Sequence, residues 1–398
     1  MHFLPHFPIH FNPIVLFGLT LLLGLLGGEI AKATRLLPRI SGYIAVGFLV
    51  GPNGFNIATP SALADASFFV DIALGLILFD LGRHLDFSWL RHDRGLLPMA
   101  ISESCLTFGL VFAILYLFKF PWLPSALAAT IATATSPAVV MMVAHDISSE
   151  GPITRRTMML TSLNNLFALI LFTILLPVTH VKSSTPQIIS EHITYRLLGS
   201  VILGLIIFTI TVFLSRLTGK NKESQFILFV GAVALGIGLA ISLNLSTMLT
   251  LFTFGVAARN LDRNHRLTEV AFGWLARLFF VLLFVVTGVY LKFQGLWQAT
   301  WIVLAFLFVK ILAKMIGVLI FSGASRLTKQ QALALGFTLA PMAELAIGMS
   351  NRLVYFNPNF SHQLLTIITA AVAILYILGP IAVQIAFIKT GEATVESR

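Results

Sequence analysis

Apolar stretches of membrane-crossing length follow one another along almost the whole chain, and short loops between them carry most of the charges. A bilayer's hydrocarbon core takes about 20 apolar residues per helix. Inside it every backbone amide needs an internal partner, so only helices and closed barrels can span it. With turn residues and charges as boundaries, thirteen segments emerge near 13–31, 41–59, 66–82, 96–117, 124–144, 157–178, 195–216, 225–243, 246–258, 271–291, 300–322, 331–351 and 365–388. The expected fold class is an all-α polytopic membrane protein of about thirteen transmembrane helices.

Composition excludes the main competitor. The chain is 57% hydrophobic and 11% charged, with a mean hydropathy of +0.93, whereas a soluble domain carries roughly 25% charged residues. The net charge of +10 is a matter of topology, because the basic residues sit in short loops. Nineteen Lys and Arg fall on one side of the expected spans, five on the other, and Lys310 and Lys314 lie within a segment. The positive-inside rule then places the N-terminus outside and the C-terminus in the cytoplasm, as a multi-pass protein of the inner (plasma) membrane. No nucleic-acid partner is expected. A single cysteine, Cys105, excludes an internal disulfide and a cysteine-based metal cluster, and is expected as a small buried apolar residue. His2, His6 and His10 are four apart, but Pro5 and Pro8 argue against a helix there. No nucleophile, cofactor or resident-metal constellation is present in the sequence, so no enzyme is expected.

Two of the apolar segments are interrupted. One holds Ala132-Thr133-Ala134-Thr135-Ser136-Pro137, the other Leu339-Ala340-Pro341-Met342-Ala343-Glu344. Proline lacks an N–H and its ring clashes with the carbonyl one turn back, so Pro137 and Pro341 are expected to open their helices. Thirteen spans divide into two six-span units joined by the seventh, with the second unit inverted. Each break then falls in the fifth span of its unit. Paired breaks at matching positions point to a transporter's binding site near the midplane, where opened carbonyls and half-helix ends meet a cation.

Ionisable and amide side chains inside apolar segments are costly and call for partners. Asn164 and Asn165 sit mid-segment, and their amide oxygens suit a hard cation. Interhelical packing is the other reading of the pair. Lys310 and Lys314 share one helix face at i,i+4; Lys314 is the deeper, while Lys310 is the better placed to reach an interface by snorkelling. Glu103 lies in the fourth span. Glu344 follows Pro341 where an acid complements a helix's positive end. Asp80 is expected to pair structurally with Arg83, and Glu29 to sit at an interface.

Five stretches resemble the bacterial monovalent cation:proton antiporter superfamily, in its sodium/proton and Kef-type potassium/proton branch. They are Gly42-Tyr43-Ile44-Ala45-Val46-Gly47-Phe48-Leu49-Val50-Gly51-Pro52; Leu74 through Gly82; Leu245-Ser246 with Phe254-Gly255; Phe279-Phe280 through Gly288; and Gly336 through Glu344. The resemblance covers nearly the whole chain. It implies the thirteen-span inverted-repeat fold with two crossed broken helices, in which a core moves against a dimerisation domain in elevator-like alternating access. On this reading residues 1–95 and 220–295 supply the dimerisation or panel helices. Residues 96–180 and 296–390 form the ion-binding core, and 181–219 the linker helix. The implied partners are a monovalent cation (sodium or potassium), protons, the lipid bilayer and a second copy of the chain, with no cofactor.

The centre departs from the family. Its sixth span usually carries Asp-Asp or Asn-Asp, and here the matching residues are Asn164-Asn165. The family's eleventh-span lysine matches Lys314, whose usual aspartate partner would be Asn164. Met342-Ala343 replaces the family's Arg-Gly. The resemblance therefore implies cation ligands at Thr135, Ser136, Asn164 and Asn165. It moves proton coupling and charge compensation to Glu344, Glu103 and Lys314. Two alternatives stay open: a same-fold transporter without obligatory proton coupling (a cation uniporter, or an anion or solute carrier using Lys314), and a transport-inactive sensor.

Overall fold

The structure is a computed structural model, and it describes residues 13–34, 37–57, 67–178, 186–218, 222–262, 273–290, 296–342, 346, 349 and 358–393. Its helices are α1 (Pro13–Ala33), α2 (Arg39–Val50), α3 (Ser67–Arg83), α4 (Phe87–His92), α5 (Leu96–Leu117), α6 (Trp122–Thr133), α7 (Pro137–Asp146), α8 (Pro152–Val178), α9 (Pro186–Thr218), α10 (Lys222–Ser242), α11 (Thr247–Leu261), α12 (Gly273–Tyr290), α13 (Leu296–Phe321), α14 (Lys329–Thr338) and α15 (Pro358–Lys389). A helix occupies each of the thirteen apolar segments. Among the described residues seven helices are long and apolar enough to cross a membrane, three more are short and apolar, and there is no strand. Glu344, His2, His6 and His10 lie outside the described residues.

The chain forms two compact units, residues 1–73 with 273–293 and residues 74–272 with 294–398. In the first, α1, α2 and α12 pack together around Leu16, Val50, Leu282, Val286 and Val289. Glycine permits the closest approach there: a side chain at Gly42 would meet the Gly27 carbonyl oxygen at 2.0 Å. Glu29, about half exposed, pairs with Arg39 at 3.0 Å.

In the second unit α5 packs along α13; α6 and α8 pack against α5, and α14 and α15 against α13. Because lipid is as apolar as leucine, such helices associate through close packing of small residues and through polar contacts. Ala126, Ala128, Ala129, Ala132, Ala134 and Ala138 are all buried around the break between α6 and α7. Phe79 of α3 packs against Phe229 and Phe254, tying α3 to α10 and α11.

Polar contacts hold the loop ends of this unit. Asp86 caps α4 through the Ser88 and Trp89 amides and accepts from Arg259 at 2.5 Å. Asp93 accepts from Arg156 at 2.8 Å and from the Ser325 hydroxyl. Arg83 pairs with Asp80 at 3.4 Å, as the sequence suggests. Both carboxylate oxygens of Glu392 accept backbone amides at the start of α8, from Ile153 at 2.6 Å and Thr154 at 2.7 Å. Since α8 has free N–H groups at that end and a positive dipole, a carboxylate is well suited to it.

Two buried-or-exposed expectations are reversed. Cys105 is exposed on the outer side of α5, because an apolar small residue is as acceptable against lipid as against protein. Lys310 is fully buried and does not snorkel.

Candidate functional site

Both interrupted segments break where expected, and the breaks meet. α6 ends at Thr133, Ala134 is extended, and α7 starts at Pro137, where the missing N–H costs nothing in the first turn of a helix. Ser136 caps α7, its hydroxyl accepting from the Val139 amide at 3.1 Å. On the other side α14 ends at Thr338, and Leu339 to Met342 are non-helical, with Ala346 and Met349 helical beyond. Thr135 and Met342 form an isolated antiparallel bridge, and the Ser136 amide donates to the Pro341 carbonyl at 3.2 Å. Pro137 and Pro341 therefore flank a single crossing.

The carbonyls released there find side-chain partners, as buried backbone must. Thr133 O accepts from Lys314 Nζ at 2.8 Å and Thr135 O from Asn165 Nδ2 at 2.7 Å. Leu339 O accepts from the Thr135 hydroxyl and Ala340 O from Lys310 Nζ, each at 3.2 Å. Each lysine thus meets the chain just where a half-helix ends, Lys314 at α6 and Lys310 past α14. These are the negative ends of the helix dipoles, which favour a cation.

Glu103 supplies the carboxylate. Its Oε2 accepts from Lys314 Nζ at 2.9 Å and its Oε1 from Asn164 Nδ2 at 2.8 Å, with all three side chains fully buried. Lys314 therefore pairs with Glu103 of α5 and not with position 164. An amide at 164 has no charge to offer an ammonium, but it can donate to the carboxylate that does. Asn164 is saturated: Nδ2 also donates to the Thr135 hydroxyl at 2.8 Å, and Oδ1 accepts from the Thr135 amide at 3.3 Å.

Asn165 is not saturated. Its Nδ2 donates to Thr135 O, Thr161 O and Asn164 Oδ1. Exchanging nitrogen and oxygen would face Oδ1 with three acceptors, so the amide's orientation is determined by its surroundings. Oδ1 is left buried with no hydrogen-bond partner among the described residues, and so is the Thr161 hydroxyl oxygen. Thr161 and Asn165 are one turn apart on α8 and share a face. A buried unpartnered oxygen costs free energy unless water or an ion visits it. Sequence reasoning missed Thr161; its i,i+4 spacing from Asn165 was the signal available.

A cavity of about 910 Å³ opens beside the start of α8, lined in part by Arg83, His84, Arg155, Arg259, Met158 and Met159. Met159 lies six residues before Asn165, about 9 Å along the helix axis. Of the expected residues, the structure brings together Thr135, Ser136, Asn164, Asn165, Glu103, Lys314, Pro137 and Pro341; Glu344 lies outside its described part.

The chain is 26% identical over 338 residues to the ammonium/H(+) antiporter subunit AmhT of Alkalihalophilus pseudofirmus, covering 83% of this chain and 84% of the relative. Its fold matches that of the sodium proton antiporter MjNhaP1 from Methanocaldococcus jannaschii at pH 8, with a TM-score of 0.69 at 18% identity over 94% of this chain and 95% of that one. A second structure of MjNhaP1, from electron microscopy, gives the same TM-score over 95% and 94%. Residues 18–389 match the family described as sodium/hydrogen exchanger, transmembrane. This chain, a multi-pass transporter and not an enzyme, therefore belongs to the sodium/hydrogen exchanger family.

Proposed function

We propose that the protein exchanges a monovalent cation for protons, and that Glu103 is the group that takes up and releases the proton. The observation that carries this reading is the Glu103 carboxylate itself, fully buried at the crossing and held between Lys314 and Asn164. Its ion pair with Lys314 and its bond to Asn164 tie it directly to the crossing, and it stands in for the acid that Asn164-Asn165 lacks. Asn165 Oδ1 and Thr161 Oγ1 are the oxygens open to the cation. Thr135 and Asn164 hold the Asn165 amide through Thr135 O and Asn164 Oδ1, while Ser136 holds the crossing together through Pro341.

Mutual exclusion follows from electrostatics. With Glu103 ionised, its charge balances Lys314, and the site tolerates a cation. Protonating Glu103 leaves the Lys314 ammonium without a counter-charge, and Coulomb repulsion inside a low-dielectric interior drives a cation out. Cation and proton then occupy the site in turn.

Sodium, potassium and the ammonium of the AmhT relative's name are the candidate cations. The core of residues 96–180 and 296–390 carries the site across the membrane in an elevator-like step. Residues 1–95 and 220–295 form the panel through which two copies pair, and 181–219 links the two parts. The N-terminus lies outside and the C-terminus in the cytoplasm of the inner membrane.

Flux across a pH series in sealed vesicles tests the reading. The wild type should move cations against an imposed proton gradient, and Glu103→Gln should not. Coupled exchange that persists in Glu103→Gln would refute the assignment. Cation flux that ignores pH in the wild type would favour the uncoupled carrier, and absence of any flux the sensor.

A further inference from the structure

One side of the broken segment is exposed among the described residues. α14 and α15 wall a groove of about 920 Å³ whose two ends differ in chemistry. Its floor is apolar and includes Phe337, Leu378, Ala382 and Ile385, with Leu378 56% and Ile385 47% exposed. Its mouth is polar and includes Thr328, Gln330 and Lys389.

Charge at the mouth is one-sided. Lys389 is exposed and makes no ion pair among the described residues. Arg326 and Lys329, also exposed, stand at the same end of α14. Neither the stretch 322–342 nor the stretch 358–391 contains an acidic residue. The next acid, Glu392, has both oxygens engaged by Ile153 and Thr154. The start of α14 adds the positive end of a helix dipole. The groove also has the length of one leaflet. From Leu378 to Lys389 α15 rises about 16 Å, against about 30 Å for a whole hydrocarbon core.

We propose that this groove is a binding site for one anionic phospholipid. Its phosphate would sit at Lys389, beside the Gln330 amide and the Thr328 hydroxyl, and an acyl chain would lie along Phe337, Leu378, Ala382 and Ile385. The lipid would brace a face of α14 different from the one where Gly336 packs against Met315 of α13. α14 leads straight into Leu339, Ala340 and Pro341 of the crossing, so an occupant of the groove fixes the half-helix that the crossing depends on. The assignment of the groove does not depend on the exchange reading.

Binding is therefore measured without transport. The full chain, purified in mild detergent and stripped of lipid, is titrated with phosphatidylglycerol, with phosphatidylcholine of the same acyl chains, and with inorganic phosphate. Retained lipid is read by native mass spectrometry and Tm by thermal unfolding. Phosphatidylglycerol should be retained at one per chain and raise Tm, while the other two should not. Lys389→Gln should weaken retention roughly fivefold, the loss of one basic residue at an anionic surface. Ala382→Trp, which fills the floor, should abolish it. Lys389→Gln alters an exposed side chain and keeps the test valid if Ala382→Trp does not fold. Equal retention of the two lipids, retention indifferent to Lys389→Gln, or an equal Tm rise with inorganic phosphate would overturn the proposal.

Discussion

Lys314 donates to Glu103 across 2.9 Å, and neither side chain has any solvent exposure. Removing one partner of such a pair costs about 3–5 kcal/mol, because the other charge is left buried and uncompensated. Lys314→Met and Glu103→Gln should each lower Tm in detergent. The double variant should recover part of the loss, as groups in direct contact are non-additive by about 0.5–3 kcal/mol. None of the three should carry out proton-coupled exchange. Strict additivity of the two Tm losses would mean that the pair is not formed in the folded protein.

Asn165 offers the open oxygen. Asn165→Ala should raise the cation concentration for half-maximal flux roughly tenfold, the loss of one good ligand interaction of about 1.4 kcal/mol, and should also lower Tm, because Thr135 O loses its buried donor. Asn165→Asp adds a second titratable group beside Glu103 and should shift the pH profile of flux or the charge moved per cycle. An unchanged profile and an unchanged current in Asn165→Asp would count against placing the cation at this residue.

Gly317 lets α13 lie directly on α5 at the ion pair. A side chain there would meet the Glu103 Cα at 2.3 Å, and the two helices would have to separate. Gly317→Ala should lower stability, and with it Tm, by the about 1–3 kcal/mol typical of overpacking, and should reduce flux more than Gly109→Ala on α5, where nothing lies within 4 Å. Equal behaviour of the two variants would contradict the close crossing.

Asp86 predicts a pH effect. Burial pushes its carboxyl up, but the Ser88 hydroxyl, Arg259 and the Trp89 amide together hold it below the ordinary carboxylate range. The folded chain then binds fewer protons at this group than the unfolded one. Its contribution to stability is present above the unfolded value of about 3.9 and is lost as pH falls through the lower folded value. Asp86→Asn should unfold at a lower temperature than the wild type at pH 7, and thermal scans should show the gap closing in acid. A gap independent of pH would refute the ionic origin.

Glu392 holds the first turn of the helix that carries Asn164 and Asn165. Glu392→Ala leaves the Ile153 and Thr154 amides without their acceptor, a loss of about 0.5–2 kcal/mol for a helix cap. A lowered Tm, with Glu392→Asp between the two, is the expected outcome of thermal unfolding. No change in either variant would show that the tail does not dock there in solution.

The local physics of the chain was legible in its sequence. Apolar run length placed a helix at each of thirteen segments, since the bilayer's thickness imposes that length on any span. Pro137 and Pro341 marked the breaks, because a proline's missing N–H and its ring act on its own helix whatever surrounds it. That the two breaks meet was readable only through their matching place in an inverted pair. Which side chains face each other was decided by tertiary structure alone. Glu103 and Lys314 are 211 residues apart, and the nearest sequence analogy pointed Lys314 to position 164. Burial was equally hidden: Lys310 is enclosed and Cys105 faces outward. In a soluble protein a polar face marks the outside of a helix. Here lipid is as apolar as the interior, so the pattern of residues along a span does not say which face turns inward, and only the packed arrangement of the helices does.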